Sequence, residues 1–126
     1  MKALIVDDSG VMRKVLIGAL SRAGIEDTVQ AEDGAQAVMA TAETEFDLVL
    51  MDWNMPNMLG IDAVRAIRAQ GKTMPIIMVT TEAEKARVLE ALKAGANNYI
   101  IKPFEPKTIV AKITETIEKA AAGACA

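Results

Sequence analysis

A doubly wound α/β domain, five parallel strands covered on both faces by five helices, is the fold class this sequence predicts. Three observations carry it. Short apolar runs alternate with longer segments of helical period along the 126 residues. The connections between them are short. The runs ending at Val6, Met51 and Val79 are unbroken stretches of apolar residues, the pattern of strands buried on both faces. Strands alternating with helices in this way are joined by crossovers and therefore lie parallel.

In order, residues 2–6 (KALIV) make the first strand. From Gly10 to Ala23, Val11, Met12, Val15, Leu16, Ala19 and Leu20 recur at helical spacing, and Gly24 ends that helix. A weaker strand lies around Thr28 to Ala31, followed by an Ala-rich helix from Ala35 to Ala42. Phe46 to Met51 is the central strand, and Asn54, Pro56, Asn57 and Gly60 after it are turn formers. A third helix follows Gly60, with Ile61, Ala63, Val64 and Ile67 as its apolar set, and Gly71 terminates it. Pro75 opens a fourth strand, PIIMVT, ending at Thr80. Thr81 or Glu82 begins a fourth helix whose buried face is marked by Val88, Leu89 and Leu92, with Gly95 closing it. Asn98 to Lys102 forms a fifth strand that stops at Pro103. The last helix starts near Pro106, lined by Ile109, Val110, Ile113 and Ile117. Beyond Lys119 large apolar residues give out, so residues 1–120 read as one domain and 121–126 as a short tail expected to fray. Repeats, long linkers and a second domain are not indicated.

Composition narrows the class. Roughly two-thirds of the unfolded surface of a chain this long is buried on folding, so neither disulfides nor a structural metal are needed. A net charge of -3 argues against a nucleic-acid footprint. Cys125 is the only cysteine and there is no histidine, which excludes a disulfide framework, a cysteine-based zinc site and a phosphohistidine carrier. MKALIVDD is too short and wrongly flanked for a signal peptide or membrane span. A soluble cytoplasmic protein without membrane insertion is expected.

Doubly wound sheets place their ligand site at the carboxyl ends of the strands. There the first strand offers Asp7 and Asp8, the third Asp52, the fourth Thr80 and the fifth Lys102. Three carboxylates within a few ångströms repel one another, and one lysine does not compensate them. A divalent ion does, and all-oxygen ligands suit Mg²⁺, which keeps several waters and takes one or two carboxylates directly. Magnesium, a lysine ammonium and a threonine hydroxyl around a carboxylate are what phosphoryl transfer requires, with Asp52 as the nucleophile that forms an acyl phosphate.

IVDDS at strand one, LMDWNMPNM at strand three, MVTTEAE at strand four and YIIKPF at strand five, in this order and spacing, closely resemble the receiver domain of two-component response regulators, and within it the stand-alone chemotaxis regulators. The resemblance covers almost the whole chain. It implies the strand order 2-1-3-4-5. It also implies phosphorylation at Asp52, magnesium on Asp8, Asp52 and the backbone carbonyl of Asn54 with Asp7 acting through water, and Lys102 on the phosphoryl group. Thr80 would move to bond a phosphoryl oxygen, and Tyr99 would swing inward behind it to alter the surface of helix four, strand five and helix five. Lys102-Pro103 would be a cis peptide. The implied phosphodonor is a histidine kinase. With no output domain among these residues, the target would be a flagellar motor switch component or another phosphotransfer protein, met by a monomer that catalyses only its own phosphorylation and dephosphorylation.

Plainer roles stand beside these. Asp7 and Asp8 suit a helix N-terminus with Ser9 as cap, Asp52 suits a loop cap, Thr80 could be an ordinary strand residue, Lys102 a solvated charge at a strand end, and Tyr99 a packing aromatic. Met51, Met55, Met58, Met74 and Met78 read as core and loop filler. The chain departs from the family pattern at Leu59, where many receivers carry an acid; at Thr81, bulkier than the residue often found there and expected to narrow access and slow hydrolysis; and at Ser9, where the chemotaxis regulators carry a larger residue. Met58 and Leu59 thus form an apolar loop, for local packing or a partner contact. An intermediate receiver of another phosphorelay uses the same chemistry. A magnesium-dependent aspartyl phosphatase would carry D-x-D directly after its first strand, and a nucleotide binder would carry a glycine-rich turn where this chain reads DDSG.

Overall fold

The computed structural model describes the backbone of residues 1–125 and side chains through Ala122. Five strands, β1 (Lys2–Val6), β2 (Asp27–Ala31), β3 (Leu48–Met51), β4 (Ile76–Thr80) and β5 (Asn98–Ile101), form one parallel sheet in the order β2-β1-β3-β4-β5. Five helices connect and follow them: α1 (Gly10–Arg22), α2 (Gly34–Glu43), α3 (Gly60–Ala69), α4 (Lys85–Ala94) and α5 (Pro106–Cys125).

Alternate strand residues feed two cores. Leu4, Val6, Val49, Met51, Ile76 and Met78 pack with Ala37, Ile61, Val64, Ile67 and Ala91 of α2, α3 and α4. Ala3, Ile5, Leu48, Leu50, Ile77, Val79 and Ile100 pack with Leu16 and Leu20 of α1 and Ile109 and Ile113 of α5. Every residue of β3 and β4 is buried, because helices cover both faces and no side of the central strands meets water. Met51, Met55, Met74 and Met78 are buried and Met58 packs against the first core, the filler role expected of them. Helix ends follow local chemistry: the Ser9 hydroxyl caps α1 by accepting from the Met12 N–H at 3.2 Å, and the chain leaves α1 and α3 through Gly24 and Gly71 at φ 88° and 83°.

Several sequence expectations need correction. The Thr81–Glu84 segment is not helical, and α4 begins only at Lys85 with no side-chain cap; residues 81–84 are instead the loop that closes over the carboxyl ends of β4 and β5. Leu89 and Leu92 are not on the buried face of α4 but 47% and 45% exposed, and Ala91, with Val88 partly buried, faces the core. Val11 and Val15 of α1 likewise point outward, because the apolar stripe of that helix is wider than the face the sheet covers. The ladder of β3 starts at Leu48 rather than Phe46, and β5 ends at Ile101, leaving Lys102 just past the strand. The helical backbone of α5 continues through the expected tail to Cys125, in a run of alanines that favours helix; Ala126 lies outside the described residues.

Candidate functional site

At the carboxyl edge of the sheet the ends of β1, β3, β4 and β5 converge, and with them the residues the sequence singled out. One carboxylate oxygen each of Asp7, Asp8 and Asp52 lies within 4.8 Å of the others. Asp7 is 1% exposed; its Oδ1 accepts from the Ser9 N–H at 2.9 Å and its Oδ2 from Lys102 Nζ at 2.8 Å. The same ammonium stands 3.5 Å from Asp52 Oδ2, and the Trp53 N–H donates to Asp52 Oδ1 at 2.7 Å. Asp8 faces solvent and is the open side of the cluster. Burial pushes the Asp52 carboxyl above its ordinary range and the Asp7 charge adds to this, while Lys102, the Trp53 N–H and the Thr80 hydroxyl pull it down. One ammonium among three carboxylates leaves the pocket short of positive charge.

A small divalent cation suits that deficit. Oxygens bound octahedrally to Mg²⁺ stand roughly 2.9–4.2 Å from one another, as follows from metal–oxygen bonds near 2.1 Å. The carboxylate oxygens of Asp7, Asp8 and Asp52 lie within 4.8 Å of one another, hard oxygen donors with the Asp8 side open to water, so small adjustments bring them to the first or second shell of one such ion.

The other predicted residues meet at the loop after β4. Thr80, fully buried, accepts from the Glu82 N–H through Oγ1 at 3.3 Å. Tyr99 is 7% exposed, turned inward, and its hydroxyl donates to the Glu82 carbonyl at 2.6 Å. Its phenol is pushed up to about 12, chiefly by burial and further by the Glu82 and Asp52 carboxylates, against the opposing pull of Arg87. Asn54 is exposed, and its side-chain amide donates to Glu82 Oε1 at 3.0 Å. The Lys102-Pro103 peptide is cis.

The family profile of the response regulator receiver domain matches residues 3–114. The chain belongs to this family. The chemotaxis protein CheY1 of Helicobacter pylori is 49% identical over 118 residues, covering 90% of this chain and 94% of that protein. The chemotaxis protein CheY of Pseudomonas aeruginosa is 41% identical over 121 residues, covering 94% and 98%. Among solved structures, the chemotaxis protein CheY4 of Vibrio cholerae superposes with a TM-score of 0.84 at 35% identity, over 91% of this chain and 97% of that one. A CheY-like receiver from Methanospirillum hungatei gives 0.89 at 27% identity, over 97% of each chain.

In this receiver several contributors escaped the sequence reading. Glu82 joins three of the expected residues, Asn54 by its carboxylate and Thr80 and Tyr99 by its backbone. Arg13, on the second turn of α1, donates to the Asp7 carbonyl at 2.7 Å and to Gln30 Oε1 at 2.9 Å, bracing the β1 end from the back. Arg87 of α4 stacks over the buried Trp53 ring, 5.5 Å from its centroid. Arg13 and Arg87 have no periodic or motif signature, and Glu82, although it lies within MVTTEAE, has no role legible from the motif; each depends on how loops and helix ends face one another. Leu59 is 42% exposed, so the apolar residue standing where many receivers have an acid meets solvent, whereas Met58 packs inward.

Proposed function

We propose that this receiver accepts a phosphoryl group on Asp52 from a histidine kinase in a Mg²⁺-dependent reaction, and that the modified state changes a binding surface rather than performing turnover chemistry on other substrates. The observation that carries the reading is the placement of Asp52. It stands at the end of a fully buried strand, its carboxylate shared between Lys102 and a backbone N–H, with two further carboxylates alongside.

The chain's own groups fit the steps. An Asp52 Oδ attacks phosphorus as the bond from phosphorus to the donor's imidazole nitrogen breaks, and the departing electron pair stays on that nitrogen. Lys102, which now divides its ammonium between Asp7 and Asp52, follows the transferred charge and holds a phosphoryl oxygen. The Thr80 hydroxyl, whose present link to the Glu82 N–H is a weak 3.3 Å, is free to turn toward a second. Bound at Asp8, Asp52 and the Asn54 carbonyl, with Asp7 acting through water, Mg²⁺ would neutralise charge on the incoming phosphoryl oxygens.

Output follows from what lies behind Thr80. Movement of its hydroxyl disturbs Glu82, and with it the Tyr99 hydroxyl bond and the loop leading into α4. Leu89 and Leu92 on α4 and Ile101 on β5 are exposed apolar residues on that side, ready for a partner. Because the similar proteins are chemotaxis proteins, the partner we propose is a flagellar motor switch component, met in the cytoplasm by a monomeric receiver spanning residues 1–120; a phosphotransfer protein of another relay would use the same surface. Among the described residues no helix is long and apolar enough to cross a membrane.

The test is a fluorescence titration of Trp53, the only tryptophan, with beryllofluoride in the presence and absence of Mg²⁺. Saturable, magnesium-dependent quenching that disappears in Asp52→Asn is expected. A response unaffected by Asp52→Asn would overturn the assignment.

A further inference from the structure

The loop from Asp52 to Gly60 must be held still if the Asn54 carbonyl is to meet a cation, yet among the described residues the Asn54 side chain makes one hydrogen bond, an exposed one to Glu82. The firm hold comes from the opposite side. Asp33 is 6% exposed and caps α2, its Oδ1 accepting from the Gln36 N–H at 2.8 Å. A helix cap needs only one oxygen. The second, Oδ2, accepts from the side-chain amide of Asn57 at 2.7 Å.

Asn57 is the one non-glycine residue with positive φ (67°) among those described. This left-handed geometry costs free energy even where asparagine tolerates it best, so it persists where surrounding contacts enforce it. The next residue presses on the same helix end: a Cβ on Gly34 would stand 2.8 Å from the Met58 carbonyl oxygen and 3.0 Å from Met58 Cγ. The loop is then closed on itself, Met58 N–H to the Pro56 carbonyl at 2.7 Å and Gly60 N–H to the Trp53 carbonyl at 2.8 Å. The start of α2 is thus a docking block for the site loop, and the Asp33 to Asn57 bond is its latch.

We infer that Asp33 and Asn57 are positioning residues for the acidic site: through their shared bond they fix the loop that presents Asn54 and so set the affinity for the divalent cation, without touching it. The inference rests on the proposed function, since it assumes that the cation sits at Asp8, Asp52 and Asn54. A carboxylate buried at the head of α2 has no other part in that chemistry. Its charge-assisted bond acts on the loop as an outer-shell partner acts on a metal ligand.

Two substitutions break the latch while keeping the local fold. Asn57→Gly retains free access to positive φ. Asp33→Ser retains an acceptor for the Gln36 N–H and lacks the second oxygen. With Mg²⁺ alone as the probe and Trp53 fluorescence as the readout, each variant is expected to bind about three- to tenfold more weakly while still melting in one cooperative transition. The double variant should be no weaker than the weaker single, because both remove the same bond. Mg²⁺ affinity within about twofold of wild type in either single variant, or losses that simply add, would overturn the inference. Asp52→Asn is the control: if it binds Mg²⁺ as wild type does, the reading of the site itself fails, and the positioning role with it.

Discussion

Replacing Gly60 by alanine would drive a methyl group into the peptide of Asp52. Gly60 opens α3 and is buried, and its φ is not in the left-handed region, so the objection is space rather than conformation. An ideal Cβ would overlap the Asp52 carbonyl oxygen, standing 2.8 Å from the carbonyl carbon and 3.1 Å from Met51 Cγ. The Met51 side chain can yield. The Asp52 peptide cannot without pulling on the end of β3, where the Asp52 N–H is bonded to the Val6 carbonyl at 2.9 Å. Restoring ordinary contact needs a shift of about 1.5 Å. Such overpacking costs ~1–3 kcal/mol, and the strained Gly60 to Trp53 bond about 1 kcal/mol more. The helical preference of alanine over glycine returns ~0.5–1 kcal/mol. The balance is a loss of about 1–3.5 kcal/mol, or roughly 3–17 °C in melting temperature for a domain of this size. Gly18, in the middle of α1, is the matched control: a Cβ there meets nothing within 4 Å, so Gly18→Ala should stabilise by about 0.5–1 kcal/mol. Thermal melts by circular dichroism of the two variants read the difference directly. If Gly60→Ala melts with wild type, or both variants shift in the same direction, the close approach of α3 to the site strand is wrong.

Three further outcomes are expected. Tyr99 is the only tyrosine, so absorbance follows its ionisation alone; its midpoint should fall near the value of about 12 set by burial, and a midpoint near 10 would mean an outward, solvated ring. In chelator, Asp52→Asn should raise the melting temperature by a few degrees at pH 7. The folded chain holds the Asp52 proton more tightly than the unfolded chain, so the penalty for ionising it is present above the folded value and gone below the unfolded value near 3.9; the gain should therefore vanish at about pH 3, and destabilisation at pH 7 would refute the sign. Thr81, exposed and directly after Thr80, is expected to narrow access to the modified carboxylate, so Thr81→Ala should shorten the phosphorylated half-life several-fold. An unchanged half-life would remove it from the account.

Much of this was legible in the chain, and the reason differs from element to element. Leu48 to Met51 could be read as a doubly buried strand because nothing polar interrupts it, and a carboxylate directly after such a strand has a fixed address at the sheet edge. Asp7, Asp8 and Lys102 were found by the same rule, strand by strand. The start of α4 is not legible because Thr81–Glu84 has ordinary helix-forming composition, whereas the tertiary bonds from Asn54 and Tyr99 to Glu82, with the local bond from the Glu82 N–H to Thr80, hold it as a loop. Leu89 and Leu92 were assigned inward because periodicity locates an apolar face without saying what covers it. The latch between Asp33 and Asn57 joins residues 24 apart in sequence, and no local pattern announces such a bond.

The central claim is that Asp52 takes up phosphate and keeps it. Intact-mass measurement after incubation with Mg²⁺ and a small acyl-phosphate donor, followed by peptide mapping, tests it most directly. One phosphoryl group per chain is expected, carried on Asp52, absent without Mg²⁺ and absent in Asp52→Asn. Steady release of many equivalents of phosphate with no adduct would make the site that of a phosphatase, and an adduct surviving in Asp52→Asn would place the chemistry elsewhere; either result would contradict the account.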